Sequence, residues 1–100
     1  MKLTINKDGN KYNATLEGRI DTTNANQFQQ DLAPLMEATN AEIVIDCSGL
    51  EYTSSQGLRS FLMLQKNVMT RNGSLALANM QPQVKEVFDI TGFSNIIKII

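Results

Sequence analysis

Three hydroxyl side chains stand in a row at Thr53-Ser54-Ser55, followed by Gln56-Gly57-Leu58. Three kinds of chemistry suit them. The first is structural: a Ser or Thr oxygen at a helix start accepts an unpaired backbone N–H. Thr53 with Gln56 three residues later has the spacing of a capping box. The second is a phosphate switch. Helix N-terminal N–H groups and the helix dipole favour an added anion, and a phosphoserine carries about −1.5 to −2 charges at neutral pH. Such a group leaves the helix standing, yet repels and desolvates unfavourably inside an interface. The third is nucleophilic catalysis, which needs a base beside the serine. The chain has no His. The loop has no Ser-x-x-Lys spacing and no G-x-S-x-G elbow, and no glycine-rich phosphate loop occurs. A binding role is therefore expected, not an enzymatic one.

The other reactive side chains have structural uses. A single Cys without any His argues against a zinc site within the chain. Cys47 reads as a small core residue. Asp46 and Ser48 lie near a strand end, where α/β sheets place ligands, but turn and cap hydrogen bonding is their commoner use. The net charge is −1 and the Lys and Arg residues are scattered. No basic field is available for nucleic acid or anionic lipid. No apolar run is long enough to span a bilayer, and Met1–Asp8 lacks the apolar core of a secretory signal. The lone Cys fits a reducing compartment. A cytoplasmic protein is expected, folded as one domain over residues 1–100.

The elements that position the hydroxyls follow from periodicity. Lys2–Asn6 and Lys11–Glu17 alternate, and Asp8-Gly9 between them signals a hairpin turn. Thr22 or Thr23 could cap a helix whose buried stripe is Ala25, Phe28, Leu32, Leu35 and Met36. Pro34 should kink or break it near Ala33. Glu42–Cys47 holds the β-branched run Ile43-Val44-Ile45, expected as a central strand covered on both faces. Gly49-Leu50-Glu51-Tyr52 reads as a connection. A helix follows from about Ser54 to Arg71, with Leu58, Phe61, Leu62, Gln65, Val68 and Met69 along one side, and Asn72-Gly73 ends it with Gly at the usual C′ position. Met63 and Leu64 widen its apolar side. Ser74–Ala78 is a strand, Pro82 opens a helix with Val84, Val87 and Phe88 as its stripe, and Gly92 stops it. Ile96–Ile100 reads as a last, covered strand. The order ββαβαβαβ predicts a mixed, mostly parallel sheet with an N-terminal antiparallel hairpin.

Four segments in register resemble the STAS domain family, in the form of a bacterial anti-sigma factor antagonist. They are Glu17-Gly18-Arg19-Ile20-Asp21, Ile43 to Leu50 with its D-x-S ending, Tyr52 to Arg59 with the S-S-x-G-L signature, and Val84 to Phe93 with its F-x-x-x-G-F ending. The resemblance covers nearly the whole chain. It implies a protein that binds an anti-sigma factor, itself a GHKL-type serine kinase, and so frees a sigma factor. The kinase phosphorylates a loop serine with ATP and the complex dissociates; a phosphatase restores it. On this resemblance the phosphoacceptor falls on Ser55, with Ser54 as the alternative. Asp21, Thr22, Thr53, Ser54, Gln56, Gly57 and Arg59 would form the partner surface. ATP would belong to the kinase, leaving this chain without a cofactor. Ser54 stands where many antagonists have Asp, and Gln56 replaces a residue that is small in many relatives. The alternative use of the same fold is a non-phosphorylated subunit of a lipid-transport ABC ATPase.

Overall fold

Leu3 pairs with Leu16 and Ile5 with Ala14 across an antiparallel ladder, so the apolar residues of β1 (Lys2–Asp8) and β2 (Lys11–Ile20) share one face. The computed structural model describes residues 1–100. Asp8 still pairs with Lys11, which moves the two-residue turn to Gly9-Asn10, one place beyond the predicted turn.

β2 runs on to Ile20 and pairs in parallel with β3 (Glu42–Thr53). The predicted connection Gly49–Tyr52 is thus strand. Its partners are non-local: Glu17 pairs with Gly49, Gly18 with Leu50, Arg19 with Tyr52 and Ile20 with Thr53. Register shifts between Thr15 and Glu17 and between Gly18 and Arg19 accommodate the extension.

The sheet order is β1-β2-β3-β4-β5, with β4 at Ser74–Ala78 and β5 at Lys98–Ile99. β2 to β5 are parallel neighbours in sequence order. Right-handed crossovers that always add the next strand on the same side place every helix on one face of the sheet. Those helices are α1 (Ala25–Asp31), α2 (Ala33–Met36), α3 (Ser55–Thr70) and α4 (Pro82–Ile90). The β3 residues Ile43, Ile45 and Cys47 are accordingly buried, while Val44 and Asp46 on the other face are half-buried. The expectation of cover on both faces is corrected: β3 is central in its ladder but packed by helices on one side only.

The chain breaks between α1 and α2 at Leu32, and Pro34 sits in the first turn of α2, where its missing N–H costs nothing. Asn24, not Thr22 or Thr23, occupies the α1 cap position. At the end of α3 the left-handed residue is Asn72 (φ 61°), and the Gly73 N–H donates to the Val68 carbonyl at 2.9 Å. Asn therefore takes the C′ role expected of Gly. Along α3 the buried stripe is Leu58, Phe61, Leu64 and Val68, whereas Met69 is exposed. Phe28 of α1, Phe61 of α3 and Phe88 of α4 stack edge to face with centroids 5.1 and 5.6 Å apart, tying three helices into one core. The expected covered strand Ile96–Ile100 is instead a two-residue edge strand, with Ile97 buried and Ile96 and Ile100 exposed. So short an edge offers little template for unwanted pairing.

Candidate functional site

The three hydroxyls separate in space. Thr53 is the last residue of β3, paired with Ile20, and the Ser54 N–H donates to the Ile20 carbonyl at 2.8 Å. That bond carries the sheet one residue past the strand before the chain turns into α3. Ser54 is extended (φ −86°, ψ 172°), and its Oγ accepts the Gly57 N–H at 3.2 Å. Ser54 is therefore the N-cap, and the predicted capping box from Thr53 is corrected by one residue. Thr53 is buried, and its Oγ1 donates to the Ser54 carbonyl at 3.3 Å.

Ser54 is 7% exposed and its oxygen is committed to the cap. Ser55, the first residue of α3, is exposed. Gly57 closes the corner from beneath. A Cβ there would collide with Thr53 Oγ1 and lie 2.9 Å from Ile20 Cγ2. Thr53, Ser54 and Gly57, expected among the partner contacts, are thus buried supports of the corner. Thr22, Gln56 and Arg59 are exposed around Ser55, and Asp21 is half-buried.

The loop after β2 lies alongside because β2 and β3 end together at the Ile20–Thr53 pair. Asp21 Oδ1 accepts the Thr23 N–H at 2.9 Å and the Thr23 hydroxyl at 2.5 Å. Asn24 Oδ1 accepts the Asp21 N–H, and its Nδ2 donates to the Arg19 carbonyl at 2.8 Å. This mutual bonding engages the Thr23 hydroxyl with Asp21 and holds Asn24 at the start of α1. The Thr23 hydroxyl, and after it the Thr23 N–H, hold the Asp21 carboxyl below the ordinary carboxylate range.

Two features of this surface were not anticipated from the sequence. Arg19 lies over the Tyr52 ring, 4.5 Å from its centroid, as an exposed cross-strand pair. A shallow cleft of about 130 Å³ runs between α1 and the start of α3, lined by Ala25, Asn26, Gln29, Gln56, Arg59 and Ser60. The signal for Arg19 and Tyr52 was their place beside Asp21 and Thr53. Nothing local joins residues 25–29 to residues 56–60.

The remaining candidates are structural. Cys47 is buried, and burial, with a smaller push from Asp46, raises its thiol to about 12. It is no nucleophile at neutral pH. Asp46 Oδ1 accepts the Ser48 N–H at 2.9 Å, which chiefly lowers its pKa. No helix is long and apolar enough to cross a membrane.

Comparison with known proteins brings these observations into one frame. The model of the STAS domain family matches residues 4–100. BtrV of Bordetella bronchiseptica, provisionally assigned as an anti-sigma factor antagonist, is 36% identical over 99 residues, which span 99% of this chain and 85% of BtrV. The anti-sigma-B factor antagonist of Bacillus subtilis is 31% identical over 99 residues, 99% of this chain and 90% of that protein. Among solved structures, the unphosphorylated form of the anti-sigma factor antagonist SpoIIAA superposes with a TM-score of 0.80 at 18% identity, covering 99% of this chain and 88% of that one. The phosphorylated form from Bacillus has a TM-score of 0.73 at 17% identity, covering 99% and 91%. At such identities these structures speak for the fold.

Proposed function

We propose that this chain, which belongs to the STAS domain family, is an anti-sigma factor antagonist switched off by phosphorylation of Ser55. The observation that carries the reading is the division between two adjacent serines: Ser54 has its oxygen in the cap and is buried, while Ser55 is exposed at the first position of α3.

The unmodified chain binds an anti-sigma factor, and a sigma factor is released. The partner is also a GHKL-type serine kinase and brings the ATP. In the transfer, a bond forms between Ser55 Oγ and the γ-phosphorus, the β–γ phosphoanhydride bond breaks, ADP leaves, and the hydroxyl proton passes to a base of the kinase. The phosphate sits at a helix N-terminus, where the dipole and free N–H groups tolerate it. The domain therefore stays folded while the interface acquires a new anion that the bound partner has to accommodate. A phosphatase reverses the change. Asp21, Thr22, Gln56 and Arg59 form the contact surface, and the protein acts in the cytoplasm as a binding partner, not as an enzyme.

The test is recovery of the partner from the native cell, incubation of the purified pair with ATP, and phosphosite mapping by mass spectrometry. A single phosphate on Ser55, absent from Ser55→Ala, is expected, together with loss of binding by Ser55→Asp. An unmodified chain, or full binding by Ser55→Asp, overturns the reading. Recovery of a transport ATPase with Ser55 unmodified favours a constitutive subunit of a lipid-transport system.

A further inference from the structure

We infer that the cleft between α1 and α3 receives a carboxylate side chain of the anti-sigma factor, gripped by Arg59, and that the Ser55 phosphate ejects it by competing for that same guanidinium. The inference rests on the reading of the previous subsection and adds the chemistry of the partner group and the cause of its release.

Arg59 is the one charged residue lining the cleft. It takes no part in either ion pair of the chain, Lys11–Glu42 at 4.0 Å or Lys85–Asp89 at 3.2 Å. The acid of the neighbouring loop, Asp21, is engaged by Thr23. The cleft thus offers an unpaired cation with no acid of its own. The other polar side chains on its wall, Asn26, Gln29, Gln56 and Ser60, carry no charge. The amide N–H groups of Asn26, Gln29 and Gln56 can donate to whatever oxygens the guanidinium leaves free, while the buried Ser60 hydroxyl already donates to the Gln56 carbonyl at 3.3 Å. A guanidinium fork matches a carboxylate in shape and in charge. A volume of about 130 Å³ admits a side chain rather than a whole segment.

The position of Ser55 supplies the release mechanism. Ser55 and Arg59 are four residues apart on α3, so they face the same side one turn apart. A phosphate on Ser55 places about −1.5 to −2 charges there. It repels an acidic occupant and takes the guanidinium for itself. A modification outside the cleft thereby empties it, with no change of fold.

The experiment measures binding of the purified cognate anti-sigma factor to wild-type, Arg59→Gln and Arg59→Lys chains, at low and at high salt. Arg59→Gln should bind about tenfold more weakly, with a flatter salt dependence and an unchanged melting temperature, and Arg59→Lys should recover part of the loss. In chains phosphorylated on Ser55, phosphorus NMR should show the second phosphate ionisation at lower pH in the wild type than in Arg59→Gln. Equal binding by wild type and Arg59→Gln overturns the inference, and so does weaker binding with an unchanged salt dependence. A wild-type chain that binds no anti-sigma factor overturns the antagonist reading itself, an outcome distinct from both.

Discussion

Ser54 Oγ accepts the Gly57 N–H at 3.2 Å, and the residue after it, Ser55, has its side chain in solvent. Ser54 thus belongs to the fold and Ser55 to the surface, and substitution should separate them. Ser54→Ala should cost about 1 kcal/mol through loss of the cap. That corresponds to a drop of about 4–8 °C in melting temperature for a domain of this size. Ser55→Ala should leave the melting temperature unchanged within a degree or two while removing the hydroxyl proposed as phosphoacceptor. Calorimetry of both variants, with phosphosite mapping of each, reads the two effects independently.

Gly57 is the tightest point of the corner. In an open helix interior, Gly→Ala gains about 1 kcal/mol in propensity. Here the new methyl would meet Thr53 Oγ1 and Ile20 Cγ2. Both neighbours are buried residues paired across β2 and β3, and neither can swing away. The strain of overpacking, about 1–3 kcal/mol, should outweigh the propensity gain. Gly57→Ala should therefore lower the urea midpoint, where propensity alone would raise it.

Phe61 stands between Phe28 and Phe88, touching both edge to face. Truncating a buried Phe to Ala costs about 3–5 kcal/mol. Small domains commonly hold about 5–15 kcal/mol in total. Phe61→Ala should leave a chain with little stability in reserve and a much lower urea midpoint, with the slope of unfolding preserved if the transition stays two-state.

Local signals sufficed where one segment decides its own state. Pro34 marked the break before α2, the alternation of Leu3, Ile5, Ala14 and Leu16 marked the hairpin, and the hydroxyl cluster marked the corner. Features set by distant partners were not legible. Gly49–Tyr52 becomes strand because Glu17–Ile20 lies beside it to bond. Ile43-Val44-Ile45 looks buried on both sides, but helix placement, not composition, leaves Val44 half-open. The cap shifted from Thr53 to Ser54 because the Ile20 carbonyl takes the Ser54 N–H. The cleft that holds Arg59 joins two helices about thirty residues apart, a relation that no window of sequence contains.

Acid should weaken the fold in part through Asp21, Asp46 and Asp89. Hydrogen bonds hold all three below the ordinary value of 3.8. The unfolded chain then binds more protons than the folded one in this range, so stability rises with pH through it. Their contribution is complete by about pH 5, roughly a unit above the unfolded value of 3.8, and disappears as pH falls through the lower folded values. Asp21→Asn should make the acid limb of a stability–pH curve shallower below about pH 5 and leave its slope above that unchanged. Urea midpoints taken from pH 2.5 to 7 check this.

Cys47 reports on the stability of the whole core. Its side chain is fully buried, and burial raises its thiol to about 12. At pH 8 the native thiol stays protonated, and no reagent reaches it without opening. Alkylation should therefore proceed through the opened chain and follow its equilibrium population when closing is faster than reaction. A Ser54→Ala chain, destabilised by about 1 kcal/mol, should label about fivefold faster than wild type if global unfolding is the route. Ser55→Ala should label at the wild-type rate. Equal labelling by all three chains would mean that β3 opens locally around Cys47 without releasing the cap, and would separate the stability of the central strand from that of the corner at Ser54.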